Sequence, residues 1–134
     1  MRHAGRIVAS AVVVALLACD GDPKPPTGPQ PVTGPGFVRV QFTTPNTDDG
    51  AVYFTVRGAP IDSLISVYTL QSADSSPDEK QVITAGAIRT GGIVIFWVPD
   101  RSALAGYTAV LQQVATRGSY ELRDLEGYSM AIIP

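Results

Sequence analysis

Phe37-Val38-Arg39-Val40-Gln41-Phe42 alternates apolar and polar side chains, and the alternation resumes as Val52-Tyr53-Phe54-Thr55-Val56-Arg57 after Pro45-Asn46-Thr47-Asp48-Asp49-Gly50. A period of two is the repeat of a half-buried β-strand, because successive side chains of an extended chain point to opposite faces. Residues 45–50 are turn formers by type: proline pins φ, and Asn and Asp satisfy nearby amides. The two runs are therefore expected to pair as a hairpin across that loop.

Downstream, Gly58-Ala59-Pro60 ends the second run. A third strand is expected over residues 64–71 (LISVYTLQ), a polar loop over 73–79 (ADSSPDE), and a fourth strand over 81–88, weakened by Gly86. After a turn at Gly91-Gly92, residues 93–98 (IVIFWV) are apolar at every position. That predicts a strand in the middle of a sheet, covered on both faces or along one face and an edge. On this reading Trp97 packs in the core. A single helical turn over 101–105, a strand over 107–115, an irregular piece over 120–125 and a closing strand over 128–133 complete the pattern. Seven to nine short strands, with turn signals roughly every 8–12 residues, predict an all-β fold: an antiparallel two-sheet β-sandwich, immunoglobulin-like or cohesin-like, over residues 37–134.

Two stretches carry a likeness to a known module. Residues 50–56 (GAVYFTV) with Leu64 downstream, and residues 91–98 (GGIVIFWV) with the closing stretch 127–133, resemble the early and late strands of the bacterial cohesin-type β-sandwich. The resemblance spans residues 37–133 and rests on glycines and hydrophobic pattern. It implies a sandwich fold. Cohesins bind dockerin domains through one sheet face, but none of those contact residues is matched here, so none is carried over.

Upstream of Phe37 the composition changes. Residues 20–36 (DGDPKPPTGPQPVTGPG) hold six prolines and four glycines and show no apolar periodicity. Such a segment is extended, at about 3.1 Å per residue, and predicts a tether with a reach of up to about 50 Å. Before it, Arg2 and Arg6 precede twelve residues, 7–18 (IVASAVVVALLA), that match the apolar region of a secretion signal. Crossing a membrane takes roughly 20 apolar residues, so this stretch is too short to be a span. It ends in Leu16-Leu17-Ala18-Cys19, which resembles the lipobox of bacterial lipoproteins. In that family the leader is cut before the cysteine, whose thiol is joined to diacylglycerol and whose new amino terminus is acylated, commonly with palmitate. The resemblance implies three regions: a signal peptide over 1–18, a lipidated Cys19 with a Pro/Gly linker to residue 36, and a folded domain over 37–134. It implies a partner as well, the membrane lipid, which two or three acyl chains hold durably at about 0.8 kcal/mol per buried CH₂. Asp20 resembles an inner-membrane retention signal of some Gram-negative bacteria, a rule that does not hold in all bacteria; inner and outer membrane both stay open.

The remaining chemistry is sparse. Cys19 is the single cysteine, so no intramolecular disulfide is possible, and the single histidine, His3, lies in the leader. General-base, Cys–His and Ser–His–Asp arrangements are thereby removed from the mature domain, along with the usual zinc and copper ligand sets. Without the leader's two arginines, eight basic residues face twelve acidic ones and form no cluster, which argues against nucleic acid as a partner. Asp48 and Asp49, with Asn46 and Thr47, offer oxygen ligands for calcium or, more simply, an Asx turn before Gly50. Asp74, Asp78 and Glu79 read as a solvated loop, and Asp124 with Glu126 is no glycosidase pair by spacing alone. A sugar platform would need two or more of Tyr53, Tyr68, Tyr107, Tyr120 and Tyr128 on one open face. No catalytic residue, metal or cofactor is assigned. The expectation is a non-enzymatic cell-envelope lipoprotein whose domain contacts another envelope protein, with a carbohydrate-binding module as the alternative and a carboxylate-based hydrolase behind both.

Overall fold

The computed structural model describes residue 28 and residues 30–134, and the folded unit occupies Pro31–Pro134. The leader, Cys19 and most of the tether lie outside the described residues. Eight strands form two four-stranded antiparallel sheets: β1 (Gly36–Thr43), β2 (Asp49–Arg57), β3 (Asp62–Ile65), β4 (Thr69–Ser76), β5 (Glu79–Ile88), β6 (Gly91–Val98), β7 (Thr108–Thr116) and β8 (Ser129–Ile133). The first sheet runs β3-β6-β1-β8 and the second β4-β5-β2-β7. The fold is the two-sheet β-sandwich that the period-two pattern predicts.

The core lies between the sheets. Val38, Val40 and Phe42 of β1 with Val94, Phe96 and Val98 of β6 face Val52, Phe54 and Val56 of β2 and Val82 of β5, all essentially fully buried. Burying a side chain of this size is worth about 1.5–3 kcal/mol, and this layer supplies the cohesion that a disulfide gives many secreted domains. Phe42 stacks on Tyr128 at 5.8 Å between ring centroids, and Phe96 meets Tyr107 at 5.7 Å.

Three expectations need correction. First, β1 and β2 do not form a hairpin. β1 pairs with β6 and β8, and β2 pairs with β5 and β7, so the link over residues 44–48 crosses from one sheet to the other. A hairpin would leave both apolar faces on the same side; the crossing lets them cover each other. Second, the predicted strand over 64–71 is two strands. The chain leaves the first sheet after Ile65 and enters the second at Thr69. Ser66 holds the switch: its hydroxyl donates to the Ile93 carbonyl at 2.6 Å and accepts the Tyr68 amide at 3.1 Å. Third, the expected loop over 73–79 is mostly strand. β4 runs to Ser76 and turns at Pro77-Asp78 into β5, with Lys80 on Asp74 at 2.7 Å. These polar residues suit a strand because β4 is an edge, largely open to solvent.

The helical turn is a 3₁₀ segment, Arg101–Gly106, capped by the Asp100 carboxylate, which accepts the Ser102 amide and hydroxyl. Those bonds hold the Asp100 carboxyl below its ordinary range. Arg101 fastens the end of the linker to the domain: its amide donates to the Gly34 carbonyl at 2.8 Å and its Nη2 to the Thr33 carbonyl at 3.0 Å. The chain is thus fixed to the sandwich just before β1 begins.

Candidate functional site

Asp48 and Asp49, which the sequence offers to an Asx turn or to calcium, are both engaged by protein groups. Asp49 is fully buried at the start of β2. Its Oδ1 accepts the Tyr128 hydroxyl at 2.8 Å, and its Oδ2 accepts the Thr44 hydroxyl. Asn46 Nδ2 donates in turn to the Tyr128 oxygen at 2.8 Å. Arg123 supplies the positive charge: its Nη2 pairs with Asp48, and its Nε lies 2.9 Å from Asp49 Oδ1. The Nε–H is not aimed along that line, so this second contact is an ion pair without a hydrogen bond. Burial raises the Tyr128 hydroxyl pKa above its usual 10.0, which keeps it a donor to the carboxylate. A guanidinium therefore occupies the cation's place, and among the described residues no three His, Cys, Asp or Glu side chains converge as metal ligands. The cluster is a lock. It ties the β1–β2 link to the segment before β8, and close packing completes it, since a side chain at Gly50 would lie 2.5 Å from the Arg117 Cα. Arg123 was not legible as its partner, being 75 residues from Asp48.

The outer faces of the two sheets differ in character. On the first, β1 turns Phe37, Arg39 and Gln41 outward; Phe37 pairs across the sheet with Trp97, and Arg39 with Ile95. Ile65 of β3 pairs with Ile95 from the other side, and Ile133 of β8 pairs with Arg39. Phe37 is 47% and Ile65 50% exposed, Val67 beside them is almost wholly exposed, and Trp97 is half-buried. Trp97 is thus not a core residue. β6 does lie in the middle of its sheet: Val94, Phe96 and Val98 point inward and Ile93 is buried at a register shift, whereas Ile95 and Trp97 are turned outward. Strand parity decides this, and a run apolar at both parities conceals it. Gly92 leaves room on this face for the Arg39 side chain to lie flat.

The second face mixes amides with apolar groups, Ile83 and Val110 among them, and carries no charge across its middle. Register places Gln71, Ile83, Tyr53 and Gln113 in one row across the four strands, and Ala73, Gln81, Thr55 and Val110 in the next. Around Tyr53 lies a shallow depression of about 440 Å³. The five tyrosines do not form a platform. Tyr53 is outward, as its alternation predicts; Tyr107 belongs to the core layer, Tyr68 and Tyr128 pack against it, and Tyr120 stands exposed after β7. Asp124 accepts the Glu126 amide at 3.0 Å in a local turn.

No protein-family model matches this chain, and no curated protein or solved structure does either. The two-sheet sandwich is shared with many unrelated proteins, so the outer faces must be read from their own chemistry.

Proposed function

We propose that this chain is a lipid-anchored, non-enzymatic module of the bacterial cell envelope that binds another envelope protein through the outer face of its first sheet. Support for the anchor comes from the Leu16-Leu17-Ala18-Cys19 motif and the Pro/Gly tether behind it. The observation that carries the contact is the outward cross-strand pair of exposed Phe37 and half-buried Trp97, flanked by Ile65, Ile95 and Arg39. Aromatic residues and arginine are enriched where proteins bind: aromatic rings bury large areas with few rotatable bonds, and arginine adds several directed hydrogen bonds. An exposed apolar patch on a small domain marks such a surface.

Two measurements test the reading. Intact-mass analysis of the native product is expected to find a mature terminus at Cys19 bearing acyl chains; a terminus elsewhere, or Cys19 without lipid, removes the anchor. For the contact, a photo-crosslinking amino acid at position 37 is expected to give a discrete protein adduct in intact envelopes, and Trp97→Ala to reduce it about tenfold. The same adduct formed equally from position 110, on the opposite sheet, would overturn the assignment of the face.

A further inference from the structure

The second sheet carries an independent feature that a protein contact on the first does not explain. Gln71, Gln81 and Gln113 surround the depression at Tyr53, whose floor includes Ile83 and Ala73. None of the side-chain hydrogen bonds among the described residues uses these three amides or the Tyr53 hydroxyl. Each amide offers one carbonyl acceptor and two N–H donors on the same group. The charges at one end of this sheet are paired with each other, Arg57 with Glu79 and Lys80 with Asp74, each at 2.7 Å.

This chemistry selects a ligand class. An anion or cation would leave its water for a surface with no opposite charge to receive it. A hydroxyl, by contrast, both donates and accepts, as a primary amide does, so a hydroxyl-rich neutral molecule can satisfy the amides and itself together. Tyr53 and Ile83 provide apolar area for the C–H face of a sugar ring. Gln71 and Gln113 lie three strand spacings apart, about 14 Å, a span that suits an oligosaccharide better than one sugar. The volume falls within the range of small-molecule sites. We propose that the depression around Tyr53 on the second sheet binds a neutral oligosaccharide through the amides of Gln71, Gln81 and Gln113. One aromatic ring and an open surface make the site weak, with a dissociation constant in the millimolar range.

The full-length chain in detergent micelles, labelled with ¹⁵N at glutamine side chains, tests this directly. Titration with chitotetraose and, separately, cellotetraose is expected to shift the side-chain amide signals of Gln71, Gln81 and Gln113 saturably, while Gln41 on the first sheet stays still. Tyr53→Ala is expected to weaken binding about tenfold, and Gln81→Ala or Gln113→Ala about fivefold each. Silence of all three signals at millimolar concentrations of both sugars overturns the proposal. So do shifts in which Gln41 takes an equal part, and so does protection of this face by an envelope protein in a chain that ignores both sugars. The wild-type titration needs no variant to fold, and its failure leaves the first-sheet contact untouched.

Discussion

The outer faces of the two sheets are built on the same period-two backbone yet present different surfaces. The first turns out Phe37, Trp97, Ile65 and Ile95 beside Arg39, while the second sets three glutamines around Tyr53, Ile83 and Val110. Their inner faces are alike, both dominated by Val, Ile and Phe. The contrast teaches that the fold constrains only half of each strand. Inward positions must be apolar because they exclude water together, whereas outward positions are free to take the chemistry of whatever they meet.

The comparison breaks most severely if the shared frame is removed. Asp49→Ala strips the buried partner from Arg123 and leaves the Tyr128 hydroxyl without its acceptor. Loss of one partner of a buried pair costs about 3–5 kcal/mol, so urea denaturation should show a large fall in midpoint and both faces should fail together. If the midpoint holds, the lock is not structural.

Next in size is a difference between the faces. Trp97→Ala should reduce crosslinking from position 37 about tenfold and leave the glutamine signals in place, while Tyr53→Ala should do the reverse. Trp97 is only half-buried, so its removal should cost about 1 kcal/mol of stability. Because Trp97 is the chain's one tryptophan, acrylamide should quench its fluorescence readily; a blue, protected emission would place it in a core and remove the contrast.

A smaller change should touch neither face. Thr84 is fully buried on the inner side of β5, and among the described residues its hydroxyl has no partner. Thr84→Val keeps the shape and removes the unsatisfied group, which should raise unfolding free energy by about 1 kcal/mol, measured against denaturant. A destabilised variant would mean that the hydroxyl is satisfied after all.

The last test is alkaline. The Tyr128 pKa is raised in the folded chain by burial, so the fold holds this proton more tightly than the unfolded chain does. Its contribution is complete below the ordinary tyrosine value of 10.0 and is lost as pH rises through the folded-state value. The wild-type denaturation midpoint should therefore drop more steeply above pH 10 than that of Tyr128→Phe, and parallel curves would contradict it.

Reading the chain alone determined where the strands run outside residues 62–80, that Val38, Val40, Phe42, Val52, Phe54 and Val56 face the core, and that Tyr53 points out. These follow from alternation between chain neighbours, which local geometry enforces. Tertiary structure alone decided that β1 and β2 belong to different sheets, that residues 62–76 change sheets at Ser66, and that Trp97 faces solvent. It alone brought Arg123 to Asp48 and Asp49, and aligned Gln71, Gln81 and Gln113 around one depression. Each of these depends on pairing between residues far apart in sequence. Hydrophobic period carries no label for the strand on the other side of the ladder, and a run apolar at every position carries none for its own inward face.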